Sequence, residues 1–238
     1  MKQVVLTLFA LLLIFGTVHG AAENPNYKAG VTFYKQKKFL QSIGSFKKAI
    51  QEGYHDPNVY FYLGNAYLLL NNNEIENAID NYLIAYEFSS SASFQATVLY
   101  QTGYAYYLKK DFTNSIVYFN KSFEMNKTLH QTFWAKGMAY YRLRDKESVI
   151  REWESYIMAA PQGLQSDNIK KALAILKDPN FQFPPEGAKD PILNPSDGST
   201  NQSGVITTDL PDITGVLGDV KPEDKGKAED SQMEDIEM

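Results

Sequence analysis

Gly30, Gly64, Gly103 and Gly137 recur along this chain at spacings of 34, 39 and 34 residues. Each is followed three residues later by an aromatic side chain, namely Phe33, Tyr67, Tyr106 or Tyr140. A second aromatic, Phe46, Tyr82, Phe119 or Trp153, closes each unit 16 or 18 residues after its glycine. Four in-register copies of one plan constrain the fold more than any other property of the sequence. A segment of about 34 residues cannot bury its apolar face alone and becomes stable by stacking on its neighbours. The odd spacing has a local source: two extra residues sit around "NNNEIEN" in unit two and three more in "SSSAS" before unit three.

Within a unit the apolar period is helical. In unit three, Leu99, Gly103 and Tyr106 fall at i, i+4 and i+7, and Ile116, Phe119 and Phe123 continue the period after the turn "KKDF". The spacing predicts two antiparallel helices joined by a short turn. Each repeated glycine costs about 1 kcal/mol of helix propensity against alanine and lets the second helix approach the first closely.

These residues resemble the tetratricopeptide-repeat (TPR) family, whose 34-residue signature runs apolar residue, Leu-Gly, Tyr, Ala, aromatic, Ala, Pro. Unit two is most similar, with Tyr60, Leu63, Gly64, Tyr67, Ala78, Tyr82 and Ala85. Unit one has Gly30, Phe33, Phe46 and Ala49, with Ser42 in place of the first alanine, and unit three has Leu99, Gly103, Tyr106, Phe112, Ser115, Phe119 and Ser122. Unit four keeps Phe133, Gly137, Tyr140, Trp153 and Pro161 but carries Lys136, Val149 and Tyr156 where smaller or apolar residues are usual, which predicts a looser last pair. The resemblance spans about Asn24 to Pro161. It implies an all-α fold, a right-handed α-solenoid of about four helix-turn-helix units.

After Pro161, "SDNIKKALAILK" reads as a capping helix with Ser166 or Asp167 at its N-cap and Ile169, Leu173 and Leu176 on one stripe. A solenoid needs such an element over its last apolar face. The expected solenoid with its cap occupies residues 23–178. Beyond it, proline, glycine, serine and acidic residues replace the period. Residues 21–180 carry 18 basic against 15 acidic side chains, whereas 181–238 carry 4 against 13. Residues 179–238 are therefore expected to form a disordered acidic tail, because such a composition buries too little surface to offset the cost of ordering. The tail has a solubilising reading and, alternatively, a reading as a tether that folds back on the repeats.

Residues 1–22 read as a secretory signal: Lys2, a twelve-residue stretch from Val4 to Phe15 dominated by apolar side chains, then Val18-His19-Gly20 before Ala21. That stretch is shorter than the roughly 20 residues a membrane-spanning helix needs, and a retained anchor is the alternative. The chain has no cysteine, which removes a lipid-anchor motif, disulfides and thiolate chemistry. The expected mature protein acts in a periplasm or outside the cell, touching a membrane only through an envelope complex.

Motifs for chemistry are absent from the sequence. There is no phosphate loop, nucleophile elbow or H-E-x-x-H run. His55 and His130 fall in connections between units, and Glu152 and Glu154 lie on opposite sides of a helix. No enzyme activity, cofactor or metal is expected. Nucleic acid is disfavoured by the weakly basic repeats and acidic tail.

The expected function lies on a surface. By the family resemblance, positions three before, one after and four after each glycine line a concave groove, which implies Tyr27, Val31 and Tyr34; Phe61, Asn65 and Leu68; Tyr100, Tyr104 and Tyr107; Trp134, Met138 and Tyr141. Tyr106 is expected inside instead. An aromatic groove suits a peptide or protein partner, so the chain reads as a protein-binding scaffold. The alternative is a carbohydrate-binding module that stacks sugars on the same rings and serves polysaccharide export. Asn65 occupies one position of the family's carboxylate clamp, but Tyr27 and the aromatics of unit three replace its basic partners.

Overall fold

The computed structural model describes residues 24–185, 188, 190–194 and 206–207. The expected signal segment 1–22 and most of the expected tail lie outside the described residues. Among these residues the chain forms nine α-helices: α1 (Pro25–Lys35), α2 (Phe39–Gln51), α3 (Pro57–Leu70), α4 (Ile75–Phe88), α5 (Ala92–Leu108), α6 (Phe112–Met125), α7 (Gln131–Arg142), α8 (Lys146–Ala159) and α9 (Ser166–Leu176). Two residue pairs, β1 (Leu193–Asn194) and β2 (Ile206–Thr207), associate in parallel.

Local chemistry sets the helix ends. Asn24 accepts from the Asn26 and Tyr27 amides at 2.8 and 3.1 Å with Pro25 at the first helical position, and Asp56 with Pro57 repeats the device at α3. Asp111 and Asp145 cap α6 and α8 at 3.1 Å. Each of these oxygens satisfies an amide that the first turn leaves open. The turns inside units one, three and four share one solution. Lys37, Lys110 and Arg144, each seven residues after its glycine, adopt φ of 57, 65 and 61°. The amides of each left-handed residue and its successor bond back to carbonyls in the last helical turn, as in Lys37 to Tyr34 at 2.8 Å and Lys38 to Phe33 at 2.9 Å. A cation there also suits the negative end of the helix. Unit two absorbs its extra residues in a 3-10 turn, Asn72–Glu74.

The helices pack in chain order, each chiefly on its predecessor and successor, so the fold is an α-solenoid. The repeated glycines hold each pair together. A Cβ on Gly64 would stand 2.7 Å from the Tyr82 ring and one on Gly103 2.8 Å from Phe119, while Cβ atoms on Gly30 and Gly137 would overlap Phe46 and Trp153. All four rings are fully buried. Unit four is not loosened by its larger residues: Val149, Trp153 and Tyr156 are buried, and Lys136 pairs with Glu152 at 2.7 Å inside the structure. The ion pair replaces an apolar contact without opening the hairpin.

Two core clusters meet at α5, one running from Tyr27 to Ala105 and the other from Tyr100 to Leu193. Ile169, Leu173 and Leu176 of α9 are buried in the second, as the stripe predicts. The helix starts one step earlier than a serine cap requires, with Gln165 at the N-cap and the Ser166 hydroxyl donating to Ala160 O at 2.6 Å. Packed structure also continues past residue 178. Phe181 and Phe183 lie against the second cluster, and Ile192 and Leu193 are part of it. Burial of Ile192 and Leu193 and partial burial of Phe181 and Phe183 give this stretch a packing energy that its composition, averaged over the whole tail, conceals.

Candidate interaction groove

The expected groove residues lie on the first helix of each unit, and packing within and between units uses most of them. Tyr27, Phe61, Asn65, Tyr100, Tyr107, Trp134, Met138 and Tyr141 are buried, and Tyr34 and Tyr104 are half-buried, as are Val31 and Leu68. Tyr27 packs on Tyr54 with ring centroids 5.1 Å apart, and Phe61 meets the edge of Phe94 at 5.4 Å across the gap to unit three. Tyr100 lies against Phe119 at 5.1 Å. Tyr107 accepts from Arg142 Nε at 3.2 Å, which ties unit three to unit four. Tyr34 sits edge-on to Tyr62 at 5.4 Å and to Phe39 at 5.9 Å.

The expected division of labour among the unit-three tyrosines holds only in part: Tyr104 is half-buried, and Tyr106 packs against the core without being closed off. Tyr106 is half-buried and stacks on Tyr118 at 5.1 Å, with Lys109 over its ring, whereas Tyr100 and Tyr107 are buried. In unit three the position four after the glycine, Tyr107, reaches Arg142 of the next unit and is buried in that contact. Asn65 serves the core too: its Oδ1 accepts from the Tyr82 hydroxyl at 2.6 Å, while its Nδ2 has no partner among the described residues.

At α7 the groove is filled by the chain itself. Phe183 meets Tyr141 edge-on at 5.1 Å, and the Tyr141 hydroxyl donates to Asp190 Oδ1 at 2.9 Å. Burial, reinforced by the Asp190 carboxylate, pushes the Tyr141 hydroxyl far above the ordinary tyrosine range, with Arg142 and Arg144 opposing the shift. Arg144 donates to Pro184 O at 2.6 Å. Composition could not reveal this segment, but Phe181, Phe183, Ile192 and Leu193 were its visible signal as apolar residues in an otherwise polar stretch.

Elsewhere, His55 Nδ1 lies 2.6 Å from the Tyr60 hydroxyl, and its ring stacks with Tyr60 and Phe88. A cavity of about 210 Å³ opens among Thr128, His130, Trp134, Tyr156, Leu164 and Gln165. Trp134 Nε1 and Gln165 Oε1 have no partner among the described residues, so a donor and an acceptor on its wall suit ordered water. Among the described residues no group of histidine and carboxylate side chains could hold a metal, and no helix is long and apolar enough to cross a membrane.

No family model matches the sequence, and no curated protein matches it. Solved structures do. The crystal structure of MamA protein superposes with a TM-score of 0.55 at 15% identity, covering 64% of this chain and 80% of that one. A MamA RS-1 double mutant gives 0.57 at 12% identity, covering 66% and 88%. YrrB, described as a TPR protein with an unusual peptide-binding site, gives 0.54 at 17% identity, covering 61% and 73%. At these identities the similarity establishes the fold, which is the tetratricopeptide-repeat solenoid.

Proposed function

We propose that this chain, folded as a tetratricopeptide-repeat solenoid, is a non-catalytic interaction scaffold that is exported and holds a peptide or protein segment against the groove face of its first helices. The observation that carries this reading is the stretch from Phe181 to Leu193, described except for residues 186, 187 and 189. It is a non-helical piece of polypeptide seated on Tyr141 with its carboxylate bonded and two aliphatic side chains buried. A face that accepts one such segment has the chemistry to accept another: tyrosine hydroxyls for polar groups, ring faces for apolar anchors and arginine donors for carbonyls. The half-buried Tyr34, Leu68 and Tyr104 extend that face through units one to three. Export is supported by Lys2 and the apolar stretch Val4 to Phe15. The carbohydrate reading loses support, because stacking on sugar needs open ring faces and Trp134, Tyr100 and Phe61 are buried.

The test is selection of displayed peptides on residues 24–238. Peptides should be enriched that bind the parent chain and lose at least tenfold in affinity for a Tyr34→Ser, Tyr104→Ser variant whose thermal unfolding is unchanged. Absence of enrichment, or binding indifferent to both tyrosines, would overturn the proposal. For export, the amino terminus of the protein recovered from its native host should begin near Ala21 or Ala22; an intact Met1 would refute cleavage.

A further inference from the structure

The chain beyond α9 is fastened to the last unit by a set of contacts that has the form of a ligand in a site. Lys146 Nζ donates to Asp178 O at 3.3 Å and stands 5.6 Å from the centre of the Phe181 ring. Phe181 and Phe183 meet edge to face at 5.2 Å, and Phe183 in turn abuts Tyr141. Arg144, held in its left-handed turn, reaches the Pro184 carbonyl. Asp190 then does two things with one oxygen. It accepts the Tyr141 hydroxyl, and it accepts the Ile192 and Leu193 amides at 2.8 Å each. That side-chain turn folds the backbone so that Ile192 and Leu193 enter the cluster holding Tyr100, Trp134, Met138 and Tyr141. Leu193 and Asn194 also pair in parallel with Ile206 and Thr207.

Closing the solenoid does not require this arrangement, since α9 already packs on α8 and buries its own stripe. The segment is joined to α9 through the exposed residues Lys177 to Asn180; Arg144, which is exposed, donates to its Pro184 carbonyl, and Lys146, which is half-buried, lies over its Phe181 ring. A short tether of this kind holds a segment at millimolar effective concentration, enough to fill a site of modest affinity without fixing it there.

We propose that Tyr141, Arg144, Lys146 and the cluster around Met138 form a receptor site for a segment carrying an aromatic pair, then a carboxylate followed closely by two aliphatic residues. Residues 181–185, 188 and 190–193 occupy it in cis, and a partner segment of the same chemistry displaces them. The inference rests on the groove reading above and narrows it to one site and one ligand pattern.

The experiment uses residues 24–238 with a site for a sequence-specific protease inserted at Pro179–Asn180, which leaves every contacting side chain intact. The probe is a fluorescein-labelled synthetic peptide of residues 181–194, followed by fluorescence anisotropy before and after cleavage. The cut chain should bind the probe at least tenfold more tightly than the uncut chain, because cutting removes the tethered competitor. Probes carrying Asp190→Ala, or Ile192→Ser with Leu193→Ser, should bind the cut chain at least tenfold more weakly, and these changes cannot unfold the protein because they lie in the peptide. Equal binding to cut and uncut chains, no binding to either, or indifference to both altered probes would overturn the proposal. Peptides selected under the preceding test that bind cut and uncut chains equally would sink cis occupancy while leaving the scaffold reading standing; failure of both tests would sink both.

Discussion

Units two and four share the ring-on-glycine contact and differ in almost everything around it. In unit two the contact is flanked by neutral groups: Leu63 is buried beside Gly64, and the Tyr82 hydroxyl finds the Asn65 amide. In unit four the residue before the glycine is Lys136, paired with Glu152 at 2.7 Å, and the ring is Trp153, whose Nε1 donates to Trp134 O at 3.3 Å. Unit two is followed by another repeat. Unit four is followed by α9 and then by residues 181–193, which share its cluster. The repeat plan thus specifies how two helices of a unit touch, while the neighbours of that contact vary with what each unit must meet next.

The comparison can be broken most sharply at the buried ion pair. Glu152→Ala should destabilise the protein by about 3–5 kcal/mol, because it leaves Lys136 buried without its partner. The double variant Lys136→Leu, Glu152→Leu, which gives unit four an apolar contact like that around Leu63, should lie within about 1 kcal/mol of the parent or above it. Urea unfolding of the three proteins decides the matter. A single variant no worse than the double would mean that the pair is solvated in solution.

The glycine contact should be the next largest effect. Gly64→Ala and Gly137→Ala should each cost about 1–3 kcal/mol from overpacking, with Gly137→Ala the worse, since its Cβ overlaps the rigid Trp153 indole whereas that on Gly64 meets the Tyr82 ring at 2.7 Å. The order should appear directly in the unfolding midpoints. The reverse order would show that the last hairpin yields more readily than the second.

A smaller contrast lies at the position that is alanine in unit two. Ser42 in unit one donates to Gly30 O at 2.9 Å, and Ser42→Ala should cost about 1 kcal/mol. Ser115 in unit three is fully buried and its Oγ has no partner among the described residues, so Ser115→Ala should be neutral or stabilising. Equal losses from the two alanine variants would mean that Ser115 has found a bonding partner such as water.

The smallest effect at neutral pH belongs to Tyr141, which has no counterpart in unit two. Its pKa is higher folded than in the unfolded chain because of burial and then Asp190. The stabilising contribution of the hydroxyl is therefore whole below about pH 10 and declines as the pH rises past that value. Stability measured at pH 9 and again at pH 11 should fall further for the parent than for Tyr141→Phe. Parallel losses would show that Tyr141 is not protected by the segment lying on it.

Much of the fold was legible because it repeats. The period of the glycines, the aromatic partners Phe46, Tyr82, Phe119 and Trp153, and the two extra residues of unit two could all be read from spacing, whereas the turn at Asn72–Glu74 that absorbs those residues could not. The groove was legible in outline only. Spacing assigned Tyr100, Tyr107 and Trp134 to the right helices, but it could not show that those rings would be spent on Phe119, on Arg142 and on the core of unit four. A helical position defines a direction, and exposure depends on what arrives from elsewhere in the chain.

The division follows from range. Contacts within a unit join residues at most 28 positions apart, as in Asn24 to Glu52 and Ser122 to Ala96, so the sequence alone determined the helix pairs, their close approach at glycine and their stacking into a solenoid, through local periodicity. Asp190 reaches Tyr141 across 49 positions, and Ile192 with Leu193 joins a cluster begun at Tyr100. Only the tertiary structure decided that a stretch with no period of its own would lie on the last unit. Its ordering energy comes from apolar side chains and donors supplied by helices far away in sequence, and a local reading of the segment contains none of them.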